Sequence, residues 1–115
     1  MMKNSASYVP DRGDLVWVDL EPHKGREQAG YRPAIVLSPK KYNHIAELML
    51  ISPITSKIKG YPFEVKIKTG QVDGVILADQ TRSIDWKIRK PKYIEHAAGS
   101  VLIETQSAIE LLLRG

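Results

Sequence analysis

Read for alternation alone, the chain is a succession of short strands that ends in a helix. Gly13-Asp14 opens LVWVDL, where Leu15 and Trp17 alternate with Val16, Val18 and Leu20, so a first strand is expected from Asp14 to Leu20. A second strand is expected over Pro33 to Ser38, and a turn or short helix over Pro39 to Ile45. Leu48-Met49-Leu50-Ile51 is an apolar run of strand length, which Pro53 should end or mark as an edge, because proline has no N–H to give a ladder. FEVKIK alternates Phe63, Val65 and Ile67 with Glu64, Lys66 and Lys68, the sharpest period of two in the chain, so one face is core and the other wet. After a turn at Gly70 to Gly74, Val75-Ile76-Leu77-Ala78 reads as a buried strand running on through Asp79 to Ile84. Trp86 and Ile88 suggest another strand or an edge, and Lys92 to Ala97 a further short one.

From Val101 to Leu113 the period changes. Leu102, Thr105, Ala108, Ile109, Leu112 and Leu113 recur at helical spacing, with Ser100 placed to cap the start. Short strands spaced by turns, closed by a helix, predict a strongly bent sheet or small barrel. Residues 1–7 read as a flexible lead-in to a single domain spanning 1–115.

Composition alters this picture little. Apolar residues at 43% and charged residues at 26% are ordinary globular usage and argue against disorder. No apolar run approaches bilayer length and the start lacks the apolar centre of a signal peptide, so a cytoplasmic protein without membrane contact is expected. The absence of cysteine excludes disulfides and thiolate metal sites. Seventeen Lys and Arg against thirteen Asp and Glu give a net charge of +4, which favours a polyanionic partner without identifying one.

The placement of the charges matters more. Glu21 to Tyr31 has no apolar period, carries Pro22, Gly25 and Gly30, and is long enough to ask for a functional reason. His23, His44 and His96 lie in three separate segments without metal-ligand spacing, and no phosphate-binding glycine loop, Gly-x-Ser-x-Gly or cysteine nucleophile is present. Polar residues remain at strand ends: Lys24, Arg26, Glu27, Gln28 and Arg32, then Thr55, Ser56 and Lys57, then Asp79, Gln80 and Arg82. Singly, each has an ordinary reading as a turn former, a cap or a solvated charge. Together they hold the parts that metal-free RNA cleavage requires: a group to take the 2′-hydroxyl proton, one to protonate the leaving 5′-oxygen, and donors for the charged phosphorane.

The stretches GDLVWVDLEP, KGREQAGYRPAIVLSP, KGYPFEV and DGVILADQTRSIDW resemble the MazF/PemK family of toxin endoribonucleases from bacterial toxin–antitoxin modules, in particular its chromosomal MazF branch. The resemblance runs from Tyr8 to Trp86 almost without gaps. It implies a mainly β fold with small helices, an SH3-like plasmid-maintenance toxin β-barrel with a C-terminal α-helix. It further implies a homodimer that cuts single-stranded mRNA at short sequences with no metal or other cofactor, leaving a 2′,3′-cyclic phosphate and a 5′-hydroxyl. Arg32 of the R-P pair and Thr55 of the P-x-T corner take the catalytic positions, with Glu27 as base or loop organiser. Plasmid-borne relatives carry a histidine before that glutamate and an arginine two residues before the D-Q pair. Here those positions are Arg26 and Leu77, so the resemblance does not carry over an aspartate-centred mechanism to Asp79. Lys24, Arg26, Gln28, Ser56, Lys57, Asp79, Gln80 and Arg82 are assigned to substrate binding. The implied partners are single-stranded RNA and a MazE/PemI-like antitoxin whose acidic tail competes for the same groove, with operator DNA met only through the antitoxin complex. Two other readings share the fold or the charge: a non-catalytic CcdB-like toxin that binds DNA gyrase, and a plain RNA-binding small barrel.

Overall fold

The computed structural model describes residues 8–115, and the expected lead-in at 1–7 lies outside them. In chain order the elements are β1 (Asp14–Asp19), β2 (Tyr31–Val36), α1 (Lys40–Ala46), β3 (Leu48–Thr55), β4 (Glu64–Lys68) and β5 (Asp73–Leu77). A 3-10 turn (Ala78–Gln80), β6 (Arg82–Asp85), α2 (Trp86–Arg89), β7 (Lys92–His96) and α3 (Gly99–Arg114) follow. All strand pairs are antiparallel, in the order β4-β5-β3-β2-β1-β7, and β6 joins through β3.

The eight-residue β3 bends the sheet. Its first half pairs with β6, from Leu48↔Asp85 to Ile51↔Arg82, whereas its end pairs with β5 at Ile54↔Ile76 and Thr55↔Val75. The result is a half-barrel with a core on each face. One contains Leu15, Ile35, Ile54, Val65, Ile67 and Ile76 and is covered by Val101, Leu102, Ala108 and Ile109 of α3. The other contains Val16, Val18, Leu20, Val36, Met49, Ile51, Ile84 and Trp86. Alternation along β1 divides its side chains between the two, so both cores depend on one register. Truncating a fully buried member such as Ile35 to Ala would remove about 2–5 kcal/mol. At the open side, the Thr69 hydroxyl donates to Glu95 of β7 at 2.6 Å.

Several local expectations change. The strand through Leu48 does not stop at Pro53 but runs to Thr55, for a reason that belongs to the site. Trp86 and Ile88 form no strand: Asp85 caps a helical turn by accepting from the Ile88 N–H, and Lys90 closes it with φ 48°. Trp86 is buried with its indole N–H on the Asn43 carbonyl (2.8 Å), while Ile88 is 78% exposed. Asp79 to Ile84 does not continue β5; the 3-10 turn redirects the chain into β6. Helix α3 starts at Gly99 with Ala98 at the cap position, so Ser100 makes no cap, and Leu112 and Leu113 are exposed rather than packed.

The N-terminal edge is held by a polar knot. The Asp14 carboxylate, 3% exposed, accepts from the Tyr8 hydroxyl (2.7 Å) and the Asp11 N–H (3.0 Å) and meets His96 Nδ1 at 3.1 Å. Burial and the Asp14 charge push the Tyr8 phenol far above its ordinary pKa, which keeps it a donor.

Candidate active site

Two prolines lie at the site, and one of them opens it. The β2–β3 ladder runs Val36↔Ile51, Ile35↔Ser52, Ala34↔Pro53 and stops. The bond from Leu37 N–H to the Leu50 carbonyl (2.8 Å) sets its phase, so bonded pairs alternate and the Pro53 nitrogen points away from β2. There it faces the gap between the β6 and β5 pairings, where no N–H is needed. That accommodation is why the strand survives its proline. In the same phase the next bonded pair would require an N–H from residue 33 to Ile54, and Pro33 has none. The strands therefore part. Extending the register places Arg32 opposite Thr55 across the opening.

Both residues line a cleft of about 550 Å³. One wall carries Arg26, Gln28 and Arg32; the other carries Thr55, Ser56, Lys57, Lys59, Tyr61, Phe63 and Glu64; and Leu77, Asp79 and Gln80 complete it. The half-buried Arg32 donates from Nε to the Ala29 carbonyl at 2.6 Å, which leaves the outer guanidinium nitrogens for a ligand. The Thr55 hydroxyl, on a residue 5% exposed, accepts from the Lys57 N–H at 3.2 Å and keeps its own proton to donate. Gly74 backs it: a Cβ added there would overlap the Thr55 carbonyl. Gln80 accepts from the Gln28 N–H at 2.8 Å and ties the charged loop to the 3-10 turn. Arg89 holds the loop's start through the Asp19 and Glu21 carbonyls, both at 2.6 Å. Glu64 accepts from the Lys59 and Gly60 N–H groups (3.2 and 3.0 Å) and shapes the turn that carries Tyr61. Desolvation raises the Asp79 pKa above the usual carboxylate value, with a backbone hydrogen bond opposing and the Glu64 charge adding to the rise.

A family model described as the PemK-like, MazF-like toxin of type II toxin–antitoxin systems matches residues 11–113. The chain belongs to this family. It is 57% identical over 82 residues to the endoribonuclease toxin MazF of Escherichia coli K12, covering 71% of this chain and 74% of that one. It is 36% identical over 110 residues to the endoribonuclease toxin ChpB of the same strain, covering 87% and 94%. The crystal structure of MazF from Deinococcus radiodurans superposes with a TM-score of 0.91 at 46% identity, over 95% of this chain and 100% of that one. A MazE–MazF crystal structure from that organism gives 0.84 at 47% identity, over 94% and 98%.

In this MazF-like chain the cleft gathers Arg26, Gln28, Arg32, Thr55, Ser56, Lys57, Asp79 and Gln80 of the residues singled out in the sequence. Glu27 is not among them. Its carboxylate turns back to accept from the Lys24 N–H (2.8 Å), and with Arg82 it lines an adjoining hollow of about 160 Å³. Arg82 reaches the Leu20 carbonyl at 3.4 Å, and Lys24 is exposed outside both cavities. Conversely, Lys59, Tyr61, Phe63 and Glu64 line the MazF-like cleft without having been singled out. Phe63 read as the first core position of an alternating strand, although the preceding Lys-Gly-Tyr-Pro already carried the basic and aromatic signal of a binding turn. Among the described residues, no three His, Asp or Glu side chains converge as a metal-ligand set, and no helix is long and apolar enough to cross a membrane.

Proposed function

We infer that this chain is a toxin endoribonuclease restrained by a cognate antitoxin, and we propose that it cuts single-stranded mRNA without a metal. The 2′-hydroxyl attacks the adjacent phosphorus, the bond to the 5′-oxygen breaks, and the products carry a 2′,3′-cyclic phosphate and a 5′-hydroxyl. The observation that carries this reading is that Arg32 and Thr55 face each other in one cleft, across the opening left where Pro33 ends the β2–β3 ladder. Arg32, fixed through Nε, offers its outer nitrogens to two phosphate oxygens as a planar fork. Thr55 donates to the charge that grows on the phosphorane.

The proton inventory needs an acceptor for the 2′-hydroxyl proton and a donor for the 5′-oxygen. Asp79 lines the cleft, whereas the Glu27 carboxylate accepts from its own turn and faces the adjoining hollow, which supports Asp79 as the acceptor. Glu27 then acts as loop organiser, and Arg32 supplies the proton to the leaving oxygen. Arg26 and Lys57 attract phosphate, while Gln28, Ser56 and Gln80 offer hydrogen bonds to bases.

An acidic antitoxin tail in the same basic cleft would exclude RNA by occupying the cations that hold phosphate. The chain is proposed to act as a homodimer in the cytoplasm. Incubation of the purified protein with an mRNA in EDTA, followed by mapping of the new 5′ ends, tests the reading. Discrete cuts with 5′-hydroxyl ends are expected. No cleavage by the wild type, or cleavage by Arg32→Ala at the wild-type rate, would overturn it.

A further inference from the structure

The wall of the cleft opposite the charged loop carries an aromatic pair that the cleavage chemistry leaves unused. Tyr61 and Phe63 stack with ring centroids 5.2 Å apart and planes 27° from parallel. Phe63 is half-buried and braces one face of the phenol, while Tyr61 remains 50% exposed and lines the cleft. The turn that holds them is fixed from within: Glu64 binds the Lys59 and Gly60 N–H groups, and the Glu64 N–H donates to the Tyr61 carbonyl at 3.1 Å. Lys57 and Lys59 precede the ring and face the same space.

We propose that Tyr61, backed by Phe63, is a stacking platform for one unpaired nucleobase of the RNA held in the cleft. This rests on the reading of the cleft as an RNA-cleaving site and adds a subsite to it. An exposed flat ring costs solvation unless something flat covers it. Cations beside such a ring suit a phosphodiester chain whose bases turn inward, since every base has a π-face while its phosphate seeks charge. The Arg32–Thr55 pair lies in the same cleft, so a strand crossing it can present a phosphate there and a neighbouring base to Tyr61. Stacking of this kind tolerates different bases, so Tyr61 supplies grip near the cut rather than a letter of the recognition word.

The test uses full-length protein and a short RNA spanning a mapped cleavage site. Single abasic nucleotides are walked through positions that flank the cut, and kcat/KM is measured for wild type, Tyr61→Ala, Tyr61→Leu and Tyr61→Phe, with circular dichroism melts as a folding control. In the wild type, one flanking position should lose roughly five- to a hundred-fold on removal of its base. Tyr61→Ala and Tyr61→Leu should lose a similar factor on intact RNA and become insensitive to that abasic position. Tyr61→Phe should stay within about threefold of wild type, because the ring and not the hydroxyl makes the platform. Retained abasic sensitivity in Tyr61→Ala would overturn the proposal. So would equal losses for Phe and Ala, or an effect confined to displacement by an acidic antitoxin peptide. Absence of cleavage by the wild type would instead sink the RNA-cleaving reading itself, so the two failures are told apart.

Discussion

Arg32 and Thr55 are register partners that no ladder joins. They stand two places past the last β2–β3 pair, separated because Pro33 cannot give the hydrogen bond that would continue it. Pro33→Ala restores that donor and should let the strands close. Lower activity with an unchanged or higher melting temperature is expected, measured by RNA cleavage rate and thermal melt.

Removing either partner should separate chemistry from fold. Thr55→Val keeps the shape but deletes the donor and should lower kcat by about 10²–10³-fold, the range for losing one preorganised donor to a developing charge. Arg32→Lys should also fail to restore full activity, because a point charge does not replace a planar fork. Single-turnover kinetics on one RNA, with melts of each variant, checks both.

Asp79 and Glu27 should differ in kind. If Asp79 takes the proton, Asp79→Asn abolishes the acidic limb of the rate profile, which in the wild type falls as pH drops through a pKa above the usual carboxylate value. Stability should move the other way. The folded pKa lies above the unfolded one, so the stability Asp79 contributes is full at low pH and lost as pH rises through its folded pKa. Asp79→Asn should therefore melt slightly higher than wild type at neutral pH, with the gap closing in acid. Glu27→Ala should raise KM more than it lowers kcat, since it loosens the 24–27 turn.

Gly74 offers a position that faces no substrate. A methyl group there overlaps the Thr55 carbonyl, so Gly74→Ala must displace the end of β3. A loss of at least tenfold in cleavage is expected even at temperatures where the variant remains folded by circular dichroism, with substrate-binding residues all intact.

Tyr8→Phe deletes one of the bonds to the buried Asp14 carboxylate. A loss of about 1.5–3 kcal/mol in urea unfolding is expected, with the m value unchanged.

What the sequence revealed depended on the range of the interaction responsible. Val65 and Ile67 were legible because a period of two is local, and the core side of α3 was legible for the same reason up to Ile109. Trp86 was not: its partner is the Asn43 carbonyl, 43 residues away, and a four-residue strand such as β6 carries no period to read. Pro53 misled because ladder phase is set by the neighbouring strand and not by the proline. In the site, Arg32 and Thr55 stood out through their motifs, and the structure brings them into one cleft. For Glu27, expected as base or loop organiser, the sequence did not show that its carboxylate takes the Lys24 N–H three residues away, since such a local choice leaves no mark in composition. Tyr61 and Phe63 were hidden by position, at the mouth of an otherwise regular alternation.

Pro33 parts β2 from β3 by a missing donor and so sets the gap between Arg32 and Thr55, whereas the charged loop and the 57–63 turn are held by side-chain contacts from Arg89, Gln80 and Glu64. The molecule is thus an anvil with an exchangeable jaw. In the proposed nuclease, redrawing the 24–28 and 57–59 turns would change what the cleft grips while Arg32 and Thr55 keep their places.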